Sequence, residues 1–507
     1  MTQNTSCSTS DSPNRPLRIV ICGGGPAAVM LLQGLKQRTQ RSVDVTILEP
    51  RSRLGVGVAY STECPTHLLN TRACNMSVTD DPDDFVRWLK AERPRRVLNW
   101  TREDFAPRSY FADYLQARLA DLRTATHLRV NWLHSTADAV SPHGRGWEVI
   151  PAHGEAVLAD IVVLATGNEA PRTIGAALAP SVQRRVIEDP WDVEAKKDLA
   201  SNAPVLLVGT SLTAVDIATE LLHNGHTGEI LAVSRRGLLP RSHGPIAAAS
   251  EGFVHALPSS LREVVRYVRQ LSANDPRGDK WRRAFTELRG IAPSLWRNWS
   301  VSERRRFLRH VRPFWDAHRH RLAPRVHGKI ERALSTGQLK IVRGRVDAIE
   351  QHPTREGGLR VSVRRGNGTR TFDVSRVVNC TGPEAHPGRS SNPLLQGLIG
   401  DQIARADSLG LGLAVDSESR VISGNGSAHS TLFAVGTLTR GSRWEVTAIP
   451  EIKEQANGVV RRLLHDHAEQ RVANPANPVR TNEGADDAPG VTIAPWATGL
   501  QFQGTSI

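Results

Sequence analysis

The sequence predicts an α/β fold built from two mostly parallel sheets, each covered on both faces by helices, with a helical insertion. First, an apolar run over 17–22 stops at a cluster of glycines and opens into helical spacing, and a second strand pattern follows over 43–49. Second, the same arrangement returns over 205–235. Third, apolar runs over 159–167 and 376–382 end in Thr-Gly. Such alternation is typical of βαβ units, and 507 residues are enough for two or three domains.

The first glycine turn, residues 23–28, has the pattern G-x-G-x-x-A. Gly23 permits a tight turn, Gly25 lets the backbone approach a pyrophosphate, and Ala28 lets the helix pack close to its strand. The N-terminus of that helix would face the phosphates. Glu49 ends the next strand, 26 residues after Gly23, where a carboxylate binds ribose hydroxyls and repels a 2′-phosphate. This pattern predicts a Rossmann-like dinucleotide site.

The second turn is related to the first but lacks its middle glycine. Gly209 begins it, Ser211 stands at the position of closest approach, and Ala214 lies in the following helix. Arg235 lies 26 residues after Gly209, the offset that separates Glu49 from Gly23 in the first unit. Arginine at this place accommodates a ribose 2′-phosphate. Its neighbours Ser234 and Arg236 are assigned to the same site.

These two turns predict different bound nucleotides. The first would hold FAD as a resident cofactor, and the looser second turn would hold NADPH or NADH, which must come and go. Two dinucleotide units in one chain imply hydride delivery from nicotinamide to flavin. Because the acid of the first unit is replaced by a base in the second, NADPH is favoured over NADH.

Positive charge is concentrated in one stretch of the chain. The net charge is +14, and residues 255–335 contain 19 Lys and Arg against 7 Asp and Glu. The stretch has a helical pattern: Ser300 and Glu303 form a capping box, and Pro313 is expected to kink or restart the helix. Apolar residues at helical spacing predict a buried face, formed by Phe307, Leu308, Val311, Phe314 and Trp315.

Most arginines of this insertion would then lie on its solvated face, an interpretation favoured over nucleic-acid binding. Arg319 and Arg321 are the first candidates to face the flavin and bind the anion of a small substrate. The five cysteines include no CxxC pair, which favours a reducing compartment and argues against a structural metal. The polar leader and the absence of a long apolar run predict a cytoplasmic protein that does not contact a membrane.

The elements divide the chain into five predicted segments, with a further strand over 430–441 and a helix over about 449–465. The segments are a disordered leader (1–16), the first part of an FAD-binding domain (17–167), an NAD(P)-binding domain (168–383) carrying the basic insertion (about 255–335), the second part of the FAD-binding domain (384–467), and a disordered tail (468–507).

The acceptor of the electrons from the reduced flavin can be inferred by elimination. A reduced flavin passes electrons to a disulfide, a quinone or oxygen. The disulfide route needs a redox CxxC pair, which the sequence lacks. The oxygen route needs no catalytic side chain of its own because the cofactor carries the chemistry. O2 is therefore the expected co-substrate.

Four stretches resemble a known family. They are "GVGVAYSTECPTHLLNTRACNMSV" (55–78), "FAPRSYFADYL" (105–115), "FLRHVRPFWDAHRHRLAP" (307–324) and "LFAVGTLTRGSRWEVTAIPEIKEQA" (432–456). Together they are similar to the FAD/NAD(P)-binding family that includes a bacterial FAD-dependent urate hydroxylase and an aspartate N-monooxygenase. The resemblance covers roughly residues 17–465.

The resemblance implies further cofactor contacts. The segment 55–70 would run along the flavin, with His67 and Asn70 as polar contacts, and 436–445 would close over the ring. Many flavoproteins have Gly-Asp before the last helix, whereas this chain has Gly436 and Thr437. Arg108 is either a surface residue or a contact to cofactor or substrate.

The resemblance also implies a flavin monooxygenase, with urate hydroxylation to 5-hydroxyisourate, a step of purine degradation, as the preferred reaction. The alternative is N-hydroxylation of an aspartate-like amino acid, and a further one is a flavin-binding regulatory protein without turnover. Urate is a planar monoanion and aspartate carries two carboxylates, so either suits a basic site. A homo-oligomer is compatible with all three.

Overall fold

Two mostly parallel sheets organise the chain, and the computed structural model describes residues 15–95, 97, 99–174, 178–246 and 258–472. The strands of this part are β1 (Leu17–Cys22), β2 (Val43–Leu48), β3 (Leu128–Leu133), β4 (Ala137–His143), β5 (Gly146–Pro151), β6 (Val157–Ala159), β7 (Ile161–Leu164), β8 (Val186–Ile187), β9 (Val205–Val208), β10 (Ile230–Ser234), β11 (Leu339–Arg343), β12 (Arg345–Gln351), β13 (Leu359–Arg365), β14 (Gly368–Val374), β15 (Arg376–Asn379), β16 (Arg420–Ile422) and β17 (Ala428–Ala434).

Helices cover the sheets and form the insertion. Those of the described residues are α1 (Pro26–Arg38), α2 (Gly57–Tyr60), α3 (Asp84–Glu92), α4 (Arg108–Ala120), α5 (Pro180–Gln183), α6 (Glu194–Lys197), α7 (Leu212–His223), α8 (Leu261–Ser272), α9 (Asp279–Asn298), α10 (Val301–Arg306), α11 (Arg312–Arg319), α12 (Pro324–Ser335), α13 (Pro393–Gly400) and α14 (Ile449–Val472). None of them is both long and apolar enough to cross a membrane.

The first sheet has the order β16-β17-β7-β1-β2-β3 and is parallel except for β16. Its central strand β1 is buried almost throughout because apolar clusters cover both faces. Register aligns the carboxyl ends of the inner strands: Cys22 lies opposite Leu48 on one side and Leu164 on the other, and Ala434 lies opposite Leu164. The glycine turn therefore opens onto an edge shared by four strands.

The second sheet has the order β11-β10-β9-β15-β8, and its strand pairs are parallel. It is formed by residues between Val186 and Asn379, whereas the first sheet draws strands from both sides of that range. This confirms the predicted α/β fold class. Residues 1–465 form one compact unit and 466–507 a second, so the finer domain boundaries stay a prediction.

Two small antiparallel sheets were not anticipated. One consists of β4, β5 and β6, and the other of β12, β13 and β14. The inner faces of both are apolar: Trp147 and Val149 join the core of the first sheet, and Val361 joins that of the second. The outer face of the β12, β13 and β14 sheet carries several charged residues, which weakens the hydrophobic signal of its strands.

The insertion is helical, as predicted. Ser300 caps α10 and Glu303 completes the capping box. Residues 307–311 form a π-helical turn, after which α11 begins at Arg312 with Pro313 in its first turn, so the predicted restart of the helix is confirmed. One part of the predicted buried face is wrong: Phe307 and Trp315 are buried, but Phe314 is 44% exposed. A π-helical turn contains about one residue more than an α-helical turn, so α-helical spacing no longer places Phe314 inward.

The predicted termini coincide only partly with the described residues. Arg15 and Pro16, assigned to the leader, are among the described residues. Arg15 binds Asp160 through two hydrogen bonds of 2.8 Å. The last helix, expected to end near 465, continues to Val472 because no glycine or proline follows before Pro475. The rest of the predicted leader and tail, 1–14 and 473–507, lies outside the described residues, as do 247–257.

Candidate nucleotide-binding sites

The first glycine turn needs glycine at Gly23 for reasons internal to the protein. Gly23 has φ +109°, and a Cβ atom there would overlap the carbonyl oxygen of Ala165. Gly25 differs, because it has φ −76° and a Cβ atom would meet only the Cα of Gly57, at 3.8 Å. The protein itself thus leaves space in front of Gly25, at the N-terminus of α1. This opening fits a pyrophosphate.

Glu49 is fixed beside that turn. Its side chain is 3% exposed, and Oε2 accepts a hydrogen bond from the Gly24 N–H at 2.9 Å. Oε1 accepts hydrogen bonds from the N–H and a guanidinium nitrogen of Arg51, both at 3.0 Å. A carboxylate held in this way at the end of β2 is positioned as ribose binding requires.

Two buried hydroxyl groups without partners lie along the same edge. Thr166 follows β7 and Thr437 follows β17, its neighbour in the sheet, and neither Oγ1 atom has a hydrogen-bond partner among the described residues. The backbone before Thr437 is held because the Gly436 N–H donates to Gln455 Oε1 at 2.9 Å. An unpaired buried hydroxyl is costly, so both groups are suited to hydrogen-bond a polar ligand such as FAD. Sequence analysis missed Thr166, although its Thr-Gly strand end was visible.

The structure connects His67 and Arg108 to the second sheet's helix α7. His67 is 1% exposed; its Nε2 donates to the backbone carbonyl of Asp216 at 3.0 Å, and its Nδ1 accepts from Thr62 Oγ1 at 2.7 Å. Burial and the nearby Arg108 guanidinium lower the pKa of His67 to about 4. Both ring nitrogens are therefore occupied within the protein, and a contact of His67 with the cofactor stays a prediction.

Arg108 is buried rather than at the surface. Its Nη2 donates to Asp216 Oδ2 at 2.7 Å, and the side chain is 11% exposed. Burial raises the pKa of Asp216 to about 6, although Arg108 opposes the shift. The neighbouring Asn70 offers its backbone carbonyl to His243 Nε2 at 3.0 Å. The ligand contacts predicted for Arg108 and Asn70 remain untested.

The second turn repeats the backbone of the first. Gly209 has φ +134°, and a Cβ atom there would overlap the carbonyl oxygen of Cys380, just as at Gly23. Ser211 has φ −84° and ψ −166°, against −76° and −168° at Gly25. A serine fits this conformation without strain, and its exposed side chain narrows the approach to α7. Ala214 is buried in that helix, as expected.

The matched sequence offset does not correspond to a matched position in space. The Gly23 N–H donates to Leu48 O at 2.9 Å, and the Gly209 N–H donates to Val233 O at 2.8 Å. Leu48 and Val233 are thus equivalent, so the counterpart of Glu49 is Ser234. The second unit is one residue shorter between its turn and this point, which places Arg235 and Arg236 one and two residues beyond.

Arg319 and Arg321 are both largely buried, with internal partners. Arg319 Nε donates to Glu445 Oε2 at 2.8 Å, while its Nη2 has no hydrogen-bond partner among the described residues. Arg321 donates to the backbone carbonyls of His318 and Arg282, at 2.9 and 3.1 Å. Burial, together with neighbouring arginines, lowers the pKa of Arg321 to about 10. The predicted substrate contact would have to share these guanidinium groups with existing partners.

Comparison with known proteins identifies the first of these units. Residues 20–169 match the FAD-NAD(P)-binding family. This part of the chain is similar to FAD-NAD(P)-binding domains, in agreement with the predicted resemblance to an FAD/NAD(P)-binding family over these residues. In the part of the chain that the structure describes, no group of three or more His, Cys, Asp or Glu side chains could hold a metal ion.

Solved structures with the same fold as this chain include three hydroxylases. An ornithine N-hydroxylase of Kutzneria sp. 744, with reduced FAD, NADP+ and L-ornithine, superposes with a TM-score of 0.61 at 17% identity, covering 90% of this chain and 100% of that one. A cadaverine monooxygenase of Erwinia amylovora gives 0.61 at 13% identity, covering 95% and 100%. An L-lysine 6-monooxygenase of Pseudomonas syringae gives 0.56 at 16%, covering 91% and 100%.

One relative in sequence matches this chain over a short stretch only. A salicylate hydroxylase of Sarocladium schorii is 31% identical over 100 residues, which span 17% of this chain and 20% of the relative. The fold is therefore shared with the three structures above, which cover 90–95% of this chain.

Proposed function

We propose that the protein is an FAD-dependent, NAD(P)H-oxidising monooxygenase that N-hydroxylates a small anionic amino acid. The carrying observation is the pair of glycine turns with nearly identical backbone, each opening at the carboxyl edge of its own parallel sheet. One site for a resident flavin and one for a diffusing nicotinamide coenzyme is the minimum that such a reaction needs.

The chain's own residues have distinct tasks in this proposal. The open space before Gly25 admits the FAD pyrophosphate, Glu49 accepts hydrogen bonds from the ribose, and Thr166 and Thr437 offer hydroxyl groups along the same edge. Bound FAD would supply the transfer of two electrons from the coenzyme to O2. Ser211 would bind the coenzyme less closely than Gly25 binds FAD, which suits a molecule that leaves in every cycle.

The second nucleotide site favours the phosphorylated coenzyme. Ser234 replaces the carboxylate of the first site, so nothing at this position repels a 2′-phosphate, and Arg235 and Arg236 follow it. NADPH is therefore proposed as the better substrate, with NADH as the weaker one.

Amine chemistry is proposed for the substrate because three proteins of this fold are described by their action on ornithine, cadaverine and lysine. The balanced reaction converts R–NH2, O2, NADPH and H+ into R–NHOH, H2O and NADP+. The basic insertion favours a substrate with a carboxylate, such as aspartate. Urate, a planar anion, is the second candidate because it meets the same electrostatic requirement.

One experiment separates the candidates. The FAD-loaded protein is mixed with NADPH and O2 in the presence of aspartate, ornithine, lysine, cadaverine, salicylate or urate, and NADPH oxidation and product mass are followed. A hydroxylamine one oxygen atom heavier than its amine supports the proposal, whereas 5-hydroxyisourate from urate would replace it. If NADPH does not reduce the flavin even without O2, the protein binds nucleotides without turnover.

A further inference from the structure

Three arginines meet at the carboxyl edge of β10 and β11. Arg343 ends β11 directly opposite Ser234, and Arg235 and Arg236 follow Ser234 in the chain. The Gly237 backbone lies against Arg343, because a Cβ atom at Gly237 would be 3.4 Å from the Arg343 Cβ. Sequence spacing could not indicate Arg343, since 107 residues and the whole insertion separate it from Arg236.

Two of these arginines have unoccupied side chains. Arg235 and Arg343 are exposed, and within the described residues neither side chain forms a hydrogen bond or an ion pair. Three arginines at one edge of the sheet add three positive charges there, which favours the binding of an anion. The cluster therefore has the charge of a phosphate site.

The turn that carries the cluster is tied to the second glycine turn. Ser234 Oγ accepts hydrogen bonds from Thr210 Oγ1 at 2.8 Å and from the Gly237 N–H at 3.0 Å. Thr210 directly follows Gly209, so the arginines are held at a fixed place relative to the N-terminus of α7. A dinucleotide whose pyrophosphate sits at that N-terminus extends its adenosine half toward the next strand, β10.

Phe314 of the insertion reaches this turn. The Arg236 guanidinium lies over the Phe314 ring, 5.1 Å from its centroid. The Phe314 side chain is 44% exposed, and its contact with Arg236 accounts for that exposed position. A guanidinium stacked on one face can receive a planar base on the other.

We propose that Arg343 and the helical insertion complete a recognition site for the adenosine 2′-phosphate of the coenzyme. Arg343 and Arg235 contact the phosphate, and Phe314 is a positioning residue that holds Arg236 flat for the adenine ring. The inference deepens the proposed function and rests on its assignment of the second turn to NADPH. It also assigns the insertion a role in coenzyme selection.

The test uses adenosine 2′,5′-bisphosphate and 5′-AMP as probes, with their dissociation constants measured by calorimetry on the FAD-loaded protein. Arg343→Ala should weaken the bisphosphate about tenfold and leave 5′-AMP within twofold, because it removes one charge-assisted contact to the 2′-phosphate. Arg345→Ala, two residues along, is the matched control and should change neither constant.

The role of Phe314 is tested by a double-mutant cycle. Phe314→Ala should weaken both probes roughly three- to tenfold, since stacking acts on the shared adenine, and Phe314→Trp should restore binding. In an Arg236→Ala background, Phe314→Ala should have no further effect. Equal losses for Phe314→Ala with and without Arg236 would overturn the positioning role.

Failure of this inference is distinct from failure of the proposed function. If the unmodified protein does not bind the bisphosphate more tightly than 5′-AMP, the phosphate site is wrong, whatever reaction is catalysed. If it does and Arg343→Ala removes the preference, the site stands even should no amine be hydroxylated.

Discussion

Gly23 and Gly25, two residues apart in the sequence, are required for different reasons. At Gly23 the constraint is the protein's own backbone, since φ is positive and the Ala165 carbonyl occupies the place of a side chain. At Gly25 the backbone is ordinary and the space is open, so the constraint must come from a ligand. The same signature thus contains one glycine for folding and one for binding.

This difference predicts opposite phenotypes. Gly23→Ala should lower the free energy of unfolding by roughly 2–4 kcal/mol, because strain and overlap with backbone add. Gly25→Val should keep wild-type stability without cofactor but purify colourless. Urea denaturation of the flavin-free proteins and the visible absorbance of the purified ones measure the two effects. A yellow, fully loaded Gly25→Val protein would contradict the assignment of this turn to FAD.

His67 predicts a dependence of stability on pH. Its pKa is about 4 in the folded protein, against 6.5 for the free side chain, because burial and Arg108 disfavour the charged form. The unfolded chain therefore binds a proton that the folded chain refuses. The stabilisation is complete above pH 6.5 and is lost as the pH falls toward 4, by roughly 3 kcal/mol.

The measurement is urea denaturation between pH 7 and 4.5. His67→Gln retains a donor for the Asp216 carbonyl but cannot titrate, so its stability should fall less steeply than that of the parent. Part of the slope should persist, since burial also lowers the pKa of His243 to about 4. The exposed His223→Gln is the control, and an unchanged slope in His67→Gln would refute the assignment.

At the scale of elements, the insertion is fastened to the segment that precedes α14. Glu445 is 5% exposed and accepts hydrogen bonds from Arg319 at 2.8 Å and from Trp315 Nε1 at 2.9 Å, both from α11. From α9, Arg289 donates to Glu451 at 2.7 and 2.9 Å. Helix α11 thereby holds the end of the segment 436–445, and α9 holds the first turn of α14.

Removing one partner of this buried pair should be costly. Arg319→Met leaves Glu445 charged in a poorly hydrated place and should lower the free energy of unfolding by about 3–5 kcal/mol. The double variant with Glu445→Gln should recover much of the loss, since no buried charge remains unpaired. Thermal and urea denaturation measure both, with the exposed pair Lys197 and Glu194 as a control worth under about 1 kcal/mol.

Sequence could predict the parallel sheets because buried strands are continuous apolar runs followed by glycine. It could not predict β12, β13 and β14, whose strands carry arginines on the outer face and depend on cross-strand pairing for their burial. Phe314 was misplaced because the π-helical turn shifts the helical period. The equal offsets of Glu49 and Arg235 concealed a one-residue difference in loop length, which only strand register reveals.

The site was predictable to a similar degree. The glycine turns and Glu49 are local signals that the sequence alone can locate, and their ligands stay a prediction. Thr166, Asp216 and Arg343 come together with their neighbours only through the sheets, at separations in sequence that no motif spans. Partners of a buried charge are decided by packing, and Arg319 and Glu445 lie 126 residues apart.

On the scale of the whole molecule, the proposed function places FAD and coenzyme at the edges of separate sheets, so we expect that coenzyme choice can be altered without touching the flavin. Arg235→Ala with Arg236→Ala should lower kcat/KM for NADPH by one to two decades while NADH changes little, as charge-assisted contacts are each worth roughly 1.5–3 kcal/mol. Steady-state kinetics with both coenzymes test this. A parallel loss for NADH, or equal use of the two coenzymes by the unmodified protein, would refute the preference.

The contact between Arg108 and Asp216 also limits how the molecule can move. Arg108 begins α4 beside the first sheet, and Asp216 lies on α7 of the second. His67 also donates a hydrogen bond to the backbone carbonyl of Asp216. Swinging the sheets apart would break this ion pair and the His67 hydrogen bond together, so the contact opposes a hinge motion between the two sheets. It therefore favours coenzyme exchange without a wide separation of the sheets.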